Sequence, residues 1–204
     1  IRGFIETLKE GAMEDSRVAN KFLDIIDIEA ERLCLLINDI LELSEIENRI
    51  IDTDMTLNSF NDIVTDVVSI LQSQADKKGI KLKQDVEQGL EITANENRMK
   101  QMLMNLVDNA IKYTPEGGTV HIKAFRQKEN IVIIVKDNGI GIPANHIERI
   151  FERFYRVDKG RSRSMGGTGL GLSIVKHIVN LYNGNIKVIS EPGKGSEFII
   201  TMQV

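Results

Sequence analysis

Residues 95–113 read NENRMKQMLMNLVDNAIKY, and their pattern decides the fold. Met102, Leu103, Leu106, Val107, Ala110 and Ile111 recur at helical spacing and make one core-facing side. Gln101, Asn105, Asn109 and Lys112 follow at steps of four, four and three, so they share the other side. Asparagine is a poor choice inside a helix, because its side chain competes for backbone hydrogen bonds. Two of them one turn apart, with a lysine below, cost stability and call for a function. Amide oxygens suit a hard cation such as Mg²⁺, which takes oxygen ligands and shares them with substrate phosphates. A plain solvated face fits the same residues, and the helix alone leaves both readings open.

On either side of this helix the pattern alternates without strict βαβ order. A helix is expected over about 59–78, with Ile63, Val67, Ile70 and Leu71 inward and Gly79 ending it. Strands are expected around 80–86 and 90–93, then at 119–126 and 131–136. Pro115 and Gly117–Gly118 stop the central helix. A third helix covers about 169–182, and the last strands are 185–190 and 196–202. Mixed order of this kind predicts a two-layer α/β sandwich, one mixed sheet with helices on one face.

Residues 48–56 are polar and suit a linker. Before them, Phe22, Ile26, Glu29, Leu33, Leu36, Ile40 and Leu43 step by four and three, the spacing of a bundle seam. Ile1, Ile5, Leu8 and Ala12 repeat the spacing, and Gly11 with Glu14–Asp15–Ser16 makes a turn. Residues 1–47 therefore read as an antiparallel helical hairpin. One hairpin buries its stripe poorly, so two are expected to pair into a four-helix bundle. The fold class is α+β, with a partial hairpin domain at 1–50 and a sandwich domain at 51–204.

Composition narrows the function. The 204 residues hold 26 basic and 30 acidic side chains, a net charge of −4, which argues against a nucleic-acid surface. A single cysteine, Cys34, excludes an internal disulfide framework and reads as a small helix residue. No apolar run is long enough to cross a bilayer. The chain begins at Ile1, and the expectation is of a fragment whose membrane and sensing region lies upstream, with no membrane contact of its own.

Three more stretches carry chemistry. In Val135–Lys136–Asp137–Asn138–Gly139–Ile140–Gly141–Ile142–Pro143 an apolar strand runs into a carboxylate and two glycines. It reads either as a hairpin turn or as a buried acid that accepts from a ligand N–H, with glycines allowing close approach. Gly166–Gly167–Thr168–Gly169–Leu170–Gly171–Leu172 opens a helix, where backbone N–H groups and the helix dipole favour an anion. It fits neither the P-loop nor the dinucleotide fingerprint. Before it, residues 152–165 carry Arg153, Arg156, Lys159, Arg161 and Arg163, a cationic loop suited to a lid over polyphosphate. Gly193–Lys194–Gly195–Ser196–Glu197–Phe198 reads by itself as a turn between strands.

In order and spacing, these elements resemble the N, G1, F, G2 and G3 boxes of the sensor histidine kinase ATP-binding domain, of the Bergerat fold shared with gyrase B, MutL and Hsp90. The hairpin resembles a dimerisation and histidine-phosphotransfer domain, and residues 3–15 look most like the phosphate-regulon sensor kinases. The resemblance implies a kinase that binds Mg-ATP, works as a homodimer and passes phosphoryl through a histidine to a response regulator, as the cytoplasmic portion of a membrane-anchored bacterial sensor. The nucleotide set it implies is Asn105, Asn109, Lys112, Tyr113, Asp137, Gly139, Gly141, Ile142, Phe154, Gly167, Thr168, Gly169, Leu170, Gly171, Leu172 and Ser196. Within it Asp137 meets the adenine amino group, and Asn105 and Asn109 hold Mg²⁺. Asn105, Lys112 and Arg153 are the implied catalytic residues, and Phe151 and Phe154 anchor the lid.

In the hydrolysing relatives the position of Asn105 resembles a glutamate that activates water. An amide is no general base, so slow hydrolysis is implied, with positioning and charge neutralisation left as the means of catalysis. His121, His146 and His177 all lie outside the hairpin and read as structural or surface residues. The acceptor histidine is therefore expected upstream. Two alternatives stay open: an ATPase of the gyrase or MutL kind, and a nucleotide-binding scaffold without kinase activity.

Overall fold

The structure is a computed structural model that describes residues 1–48, 54–157 and 167–203. The linker expected at 48–56 and the loop residues Lys159, Arg161 and Arg163, with Gly166, lie wholly or partly outside those residues.

Helix α1 (Arg2–Lys9) is short, and Gly11 takes φ +125° where the chain turns. A 3₁₀ turn at Ala12–Glu14 leads into the long helix α2 (Ser16–Asn48). Asp15 Oδ1 accepts from the Arg17 amide at 2.9 Å, satisfying one of the first free N–H groups of α2. The Phe4 and Phe22 rings pack across the hairpin with centroids 5.6 Å apart. The expected seam divides along its length. Leu43 is buried and Leu36 packs against the main core of the same chain, whereas Leu33 and Ile40 remain 49% and 45% exposed.

Strand β1 (Thr56–Ser59), which sequence reading assigned to linker and helix start, pairs antiparallel with β3 (Glu91–Ala94). Between them run α3 (Phe60–Lys77) and β2 (Lys81–Val86). Ile70 differs from expectation: it is 60% exposed, because the buried stripe of α3 runs through Phe60, Ile63, Val64, Val67, Leu71 and Ala75.

The central helix is α4 (Glu96–Tyr113), with Asn95 as N-cap accepting from the Arg98 amide at 3.2 Å. After it come β4 (Thr119–Gln127), β5 (Asn130–Asp137), α5 (Gly171–Leu181), β6 (Asn185–Glu191) and β7 (Gly195–Gln203). The five-stranded sheet has the order β2-β4-β5-β7-β6. Only the β2–β4 pair is parallel. Val120, Ile122, Ile131, Ile133, Val135 and Ile200 point from one face into the layer of α3, α4 and α5, as the twofold alternation of strands requires. The expected two-layer sandwich with one mixed sheet is the observed architecture. Among the described residues no helix is long and apolar enough to cross a membrane.

Candidate functional site

The polar side of α4 does not face open water. It forms one wall of a cavity of about 790 Å³ between α4, the 138–143 loop, the glycine-rich stretch before α5 and the side of α2. Asn105, Asn109 and Lys112 all line it, and Gln101 does not. Lys112 Nζ lies 2.6 Å from Asp108 Oδ2, and Gln74 Nε2 donates to Asp108 Oδ1 at 2.9 Å, so the ammonium is aimed by a fixed carboxylate. Lys78 Nζ donates to the Ile111 and Lys112 carbonyls at 2.8 and 2.7 Å, closing the C-terminal end of α4.

Asp137 ends β5, lines the same cavity and is 6% exposed. Its Oδ1 accepts from the Gly139 amide at 2.8 Å and from the Ser196 amide at 3.2 Å. Burial pushes this carboxyl above its ordinary value, and the two amides pull it back only in part. Ile140, Ile142, Ile150, Met104 and Phe198 give the same cavity an apolar lining. The cavity thus combines apolar side chains and one buried acceptor with two amides and an ammonium. A flat heteroaromatic ring carrying an amino group suits the first set, and a cation-bound polyphosphate suits the second.

The 138–143 loop is pinned from both sides. Ile140 N donates to the Tyr113 carbonyl at 3.1 Å, and Ile142 N donates to Ser190 Oγ at 2.8 Å. Gly193 N donates to the Ile140 carbonyl at 2.8 Å, which ties the β6–β7 turn to the same loop. The 193–198 segment is therefore more than a connector: through Ser196 it holds Asp137.

Most of the expected nucleotide set comes together here. Tyr113, Gly141, Ile142, Gly167, Thr168, Gly169, Gly171, Leu172 and Ser196 line the cavity with the residues above. Four do not. Gly139 works through its amide on Asp137, and a Cβ there would meet the Tyr113 carbonyl oxygen at 2.5 Å. Leu170 is fully buried in the core. Phe154 is 57% exposed, with φ +62°, and its part in holding the loop is its backbone, whose N–H donates to the Gly169 carbonyl at 2.9 Å. Phe151, by contrast, packs against the core. Arg153 stands near His177 on α5, where its charge adds to burial in lowering the His177 pKa.

The cavity instead receives Tyr155, which carries no expectation from the sequence, and Arg156, expected only as one cation of the loop. Tyr155 is braced: His146 Nδ1 is hydrogen-bonded to its hydroxyl, and the Arg149 guanidinium lies 4.3 Å from its ring centroid. Cationic character marked this loop in the sequence, but nothing local told which arginine turns inward. Among the described residues no group of three or more His, Cys, Asp or Glu side chains is placed to hold a metal. A cation here has oxygen donors only, the amides of Asn105 and Asn109 with the Asp39 and Asp108 carboxylates on the same cavity, a set that suits Mg²⁺ rather than a thiolate- or imidazole-seeking metal.

Comparison with known proteins bears on the same residues. The family described as "Histidine kinase-, DNA gyrase B-, and HSP90-like ATPase" matches residues 94–204, and the "His Kinase A (phospho-acceptor) domain" matches residues 1–49. The sensor protein kinase WalK of Staphylococcus aureus is 38% identical over 205 residues, covering 99% of this chain and 49% of WalK. The chain spans a third of the length of the WalK proteins of Staphylococcus epidermidis and Bacillus subtilis. These relatives are WalK kinases rather than the phosphate-regulon kinases that residues 3–15 also resemble. Among solved structures, full-length ShkA in complex with AMPPNP superposes with a TM-score of 0.77 at 27% identity, covering 92% of this chain and 39% of ShkA. The histidine kinase ThkA in complex with its response regulator TrrA gives a TM-score of 0.77 at 26% identity, covering 98% of this chain and 55% of ThkA.

Proposed function

The chain belongs to the histidine kinase-, DNA gyrase B- and HSP90-like ATPase family, here following a His Kinase A segment, and on that premise we propose that it is the catalytic region of a sensor histidine kinase. In this reading residues 1–50 are the dimerisation and phosphotransfer hairpin and residues 51–204 the ATP-binding domain. The whole protein acts as a homodimer on the cytoplasmic side of a membrane, and a response regulator takes the phosphoryl group. The observation that carries the reading is the single cavity that buried Asp137 lines together with Asn105, Asn109 and Lys112.

Asp137 accepts the adenine amino N–H, and the apolar lining takes the ring. Asn105 and Asn109 hold Mg²⁺ through their amide oxygens, and the ion, when bound, neutralises charge on the phosphate oxygens. Lys112 adds a fixed positive charge on the same side. Arg156 places a guanidinium on the cavity, the better placed of the two arginines three residues apart to offset charge on the terminal phosphate. Asn105 offers no base for water. The γ-phosphoryl is therefore kept for a histidine nucleophile.

The reading is tested by phosphate release and phosphoryl transfer measured together, with a chain that also carries the phospho-acceptor helix. A phosphoprotein that is labile in acid and stable in base is expected, with slow release of free phosphate. Rapid phosphate release with no phosphoprotein contradicts the kinase and favours the gyrase- or MutL-like ATPase.

A further inference from the structure

One wall of the cavity does not come from the sandwich. Leu35 and Asp39, on α2 of the hairpin, line the same space as Asn105, Asn109 and Lys112. Asp39 Oδ2 accepts from the Thr168 hydroxyl at 2.5 Å, across 129 residues of sequence. Thr168 Oγ1 in turn accepts from the Leu170 amide at 3.3 Å, so this hydroxyl sets the shape of the glycine-rich stretch as it enters α5. Asp39 is also close enough to Lys112 to feel its charge. A carboxylate from the hairpin therefore holds one hydroxyl donor of the cavity, Thr168, and lies within the field of the Lys112 ammonium that Asp108 pairs.

Resting on the nucleotide reading above, we propose that Asp39 is a specificity-determining residue that stands in for the terminal phosphate, so that α2 and a γ-phosphate compete for the Thr168 hydroxyl beside Lys112. Two anions cannot share that donor without strong repulsion at this range. A triphosphate displaces Asp39 and frees α2 from the glycine-rich stretch. A diphosphate is too short to reach and leaves the contact in place. Adenosine, held at Asp137, does not sense it. The hairpin is thereby released from the nucleotide domain only when a transferable phosphoryl group is present, which is when the domain must travel to its acceptor.

The test compares wild type with Asp39→Asn by titration calorimetry, using AMPPNP, ADP and adenosine with Mg²⁺. The amide keeps the size and an acceptor for Thr168 but removes the charge. AMPPNP affinity is expected to rise about 5- to 10-fold, a Coulombic gain of about 1–1.4 kcal/mol by the tenfold conversion, with ADP changed less than about 2-fold and adenosine not at all. A second readout uses the sole cysteine, Cys34, exposed on α2. A fluorophore on it is expected to respond to AMPPNP and not to ADP in wild type. Equal changes for all three ligands, no change for any, or a Cys34 probe blind to the difference between AMPPNP and ADP overturns the proposal while leaving nucleotide binding intact. Failure of the wild type to bind any of the three overturns the nucleotide reading, and this one with it.

Discussion

Asp137→Asn abolishes measurable nucleotide binding while making the empty protein more resistant to heat. Both halves follow from one carboxylate. Its Oδ1 is fixed by the Gly139 and Ser196 amides, so the second atom is the one presented to the cavity. In the asparagine variant the oxygen must stay with those two donors. The –NH₂ then faces the adenine amino group, donor against donor. Loss of a hydrogen bond to a buried charged acceptor is worth about 1.5–3 kcal/mol, roughly 10- to 150-fold in affinity. The clash of two donors comes on top of that. The stability half has the opposite sign, because burial raises the Asp137 pKa over its unfolded value. An acid raised in this way favours folding while protonated, and that contribution is lost as pH rises through the folded value. At neutral pH the ionised group is a net cost, which the amide removes. Between the unfolded carboxylate value and the raised folded one, the wild-type melting temperature therefore carries a downward slope from this residue that the variant lacks. Calorimetry for binding and melts across the acidic range check the two parts. A variant that binds ATP as tightly as wild type refutes the adenine assignment.

The second large effect is on folding. In Gly141→Ala the new Cβ falls 2.0 Å from the Glu191 carbonyl oxygen and 3.1 Å from Pro192 Cα. Both are backbone atoms, so no side chain can swing aside. The position also has φ +70°, which costs an L-residue about 1–2 kcal/mol. With about 1–3 kcal/mol for the overlap, a loss of about 2–5 kcal/mol is expected, enough to unfold a marginal domain. Gly117→Ala is the control. It has φ +78° with open space around its Cβ, so it loses only the conformational part. Chemical denaturation of the pair separates the two terms. Equal losses mean that the 138–143 loop can move away from the β6–β7 turn at little cost.

How far the sequence reached depended on whether the signal was local. The polar side of α4 was legible because helical periodicity put Asn105, Asn109 and Lys112 in one row, whatever packed against them. Asp137 was legible because a strand running into an acid and two glycines is unusual. Strand β1 was not: Thr56–Leu57–Asn58–Ser59 shows no alternation, and its pairing with β3 is a tertiary fact. Arg156 was hidden because Arg153 and Arg156 sit in irregular chain, where spacing carries no facing rule. The left-handed backbone at Phe154 makes the turn after which Tyr155 and Arg156 reach the cavity. Ile70 misled because it extends the apolar run of α3 while lying off its buried stripe. Asp39 left no mark at all, being one of several acids along a helix whose partner is 129 residues away.

The central claim is that this cavity takes an adenine at Asp137 and phosphates at Asn105, Asn109 and Lys112. A crystal structure of the chain grown with Mg²⁺ and a non-hydrolysable ATP analogue tests it in one measurement. The account predicts the adenine amino nitrogen within hydrogen-bond distance of Asp137, and Mg²⁺ held by the two asparagine oxygens and phosphate. An analogue bound elsewhere, or with its base at the asparagines and its phosphates beside Asp137, contradicts it.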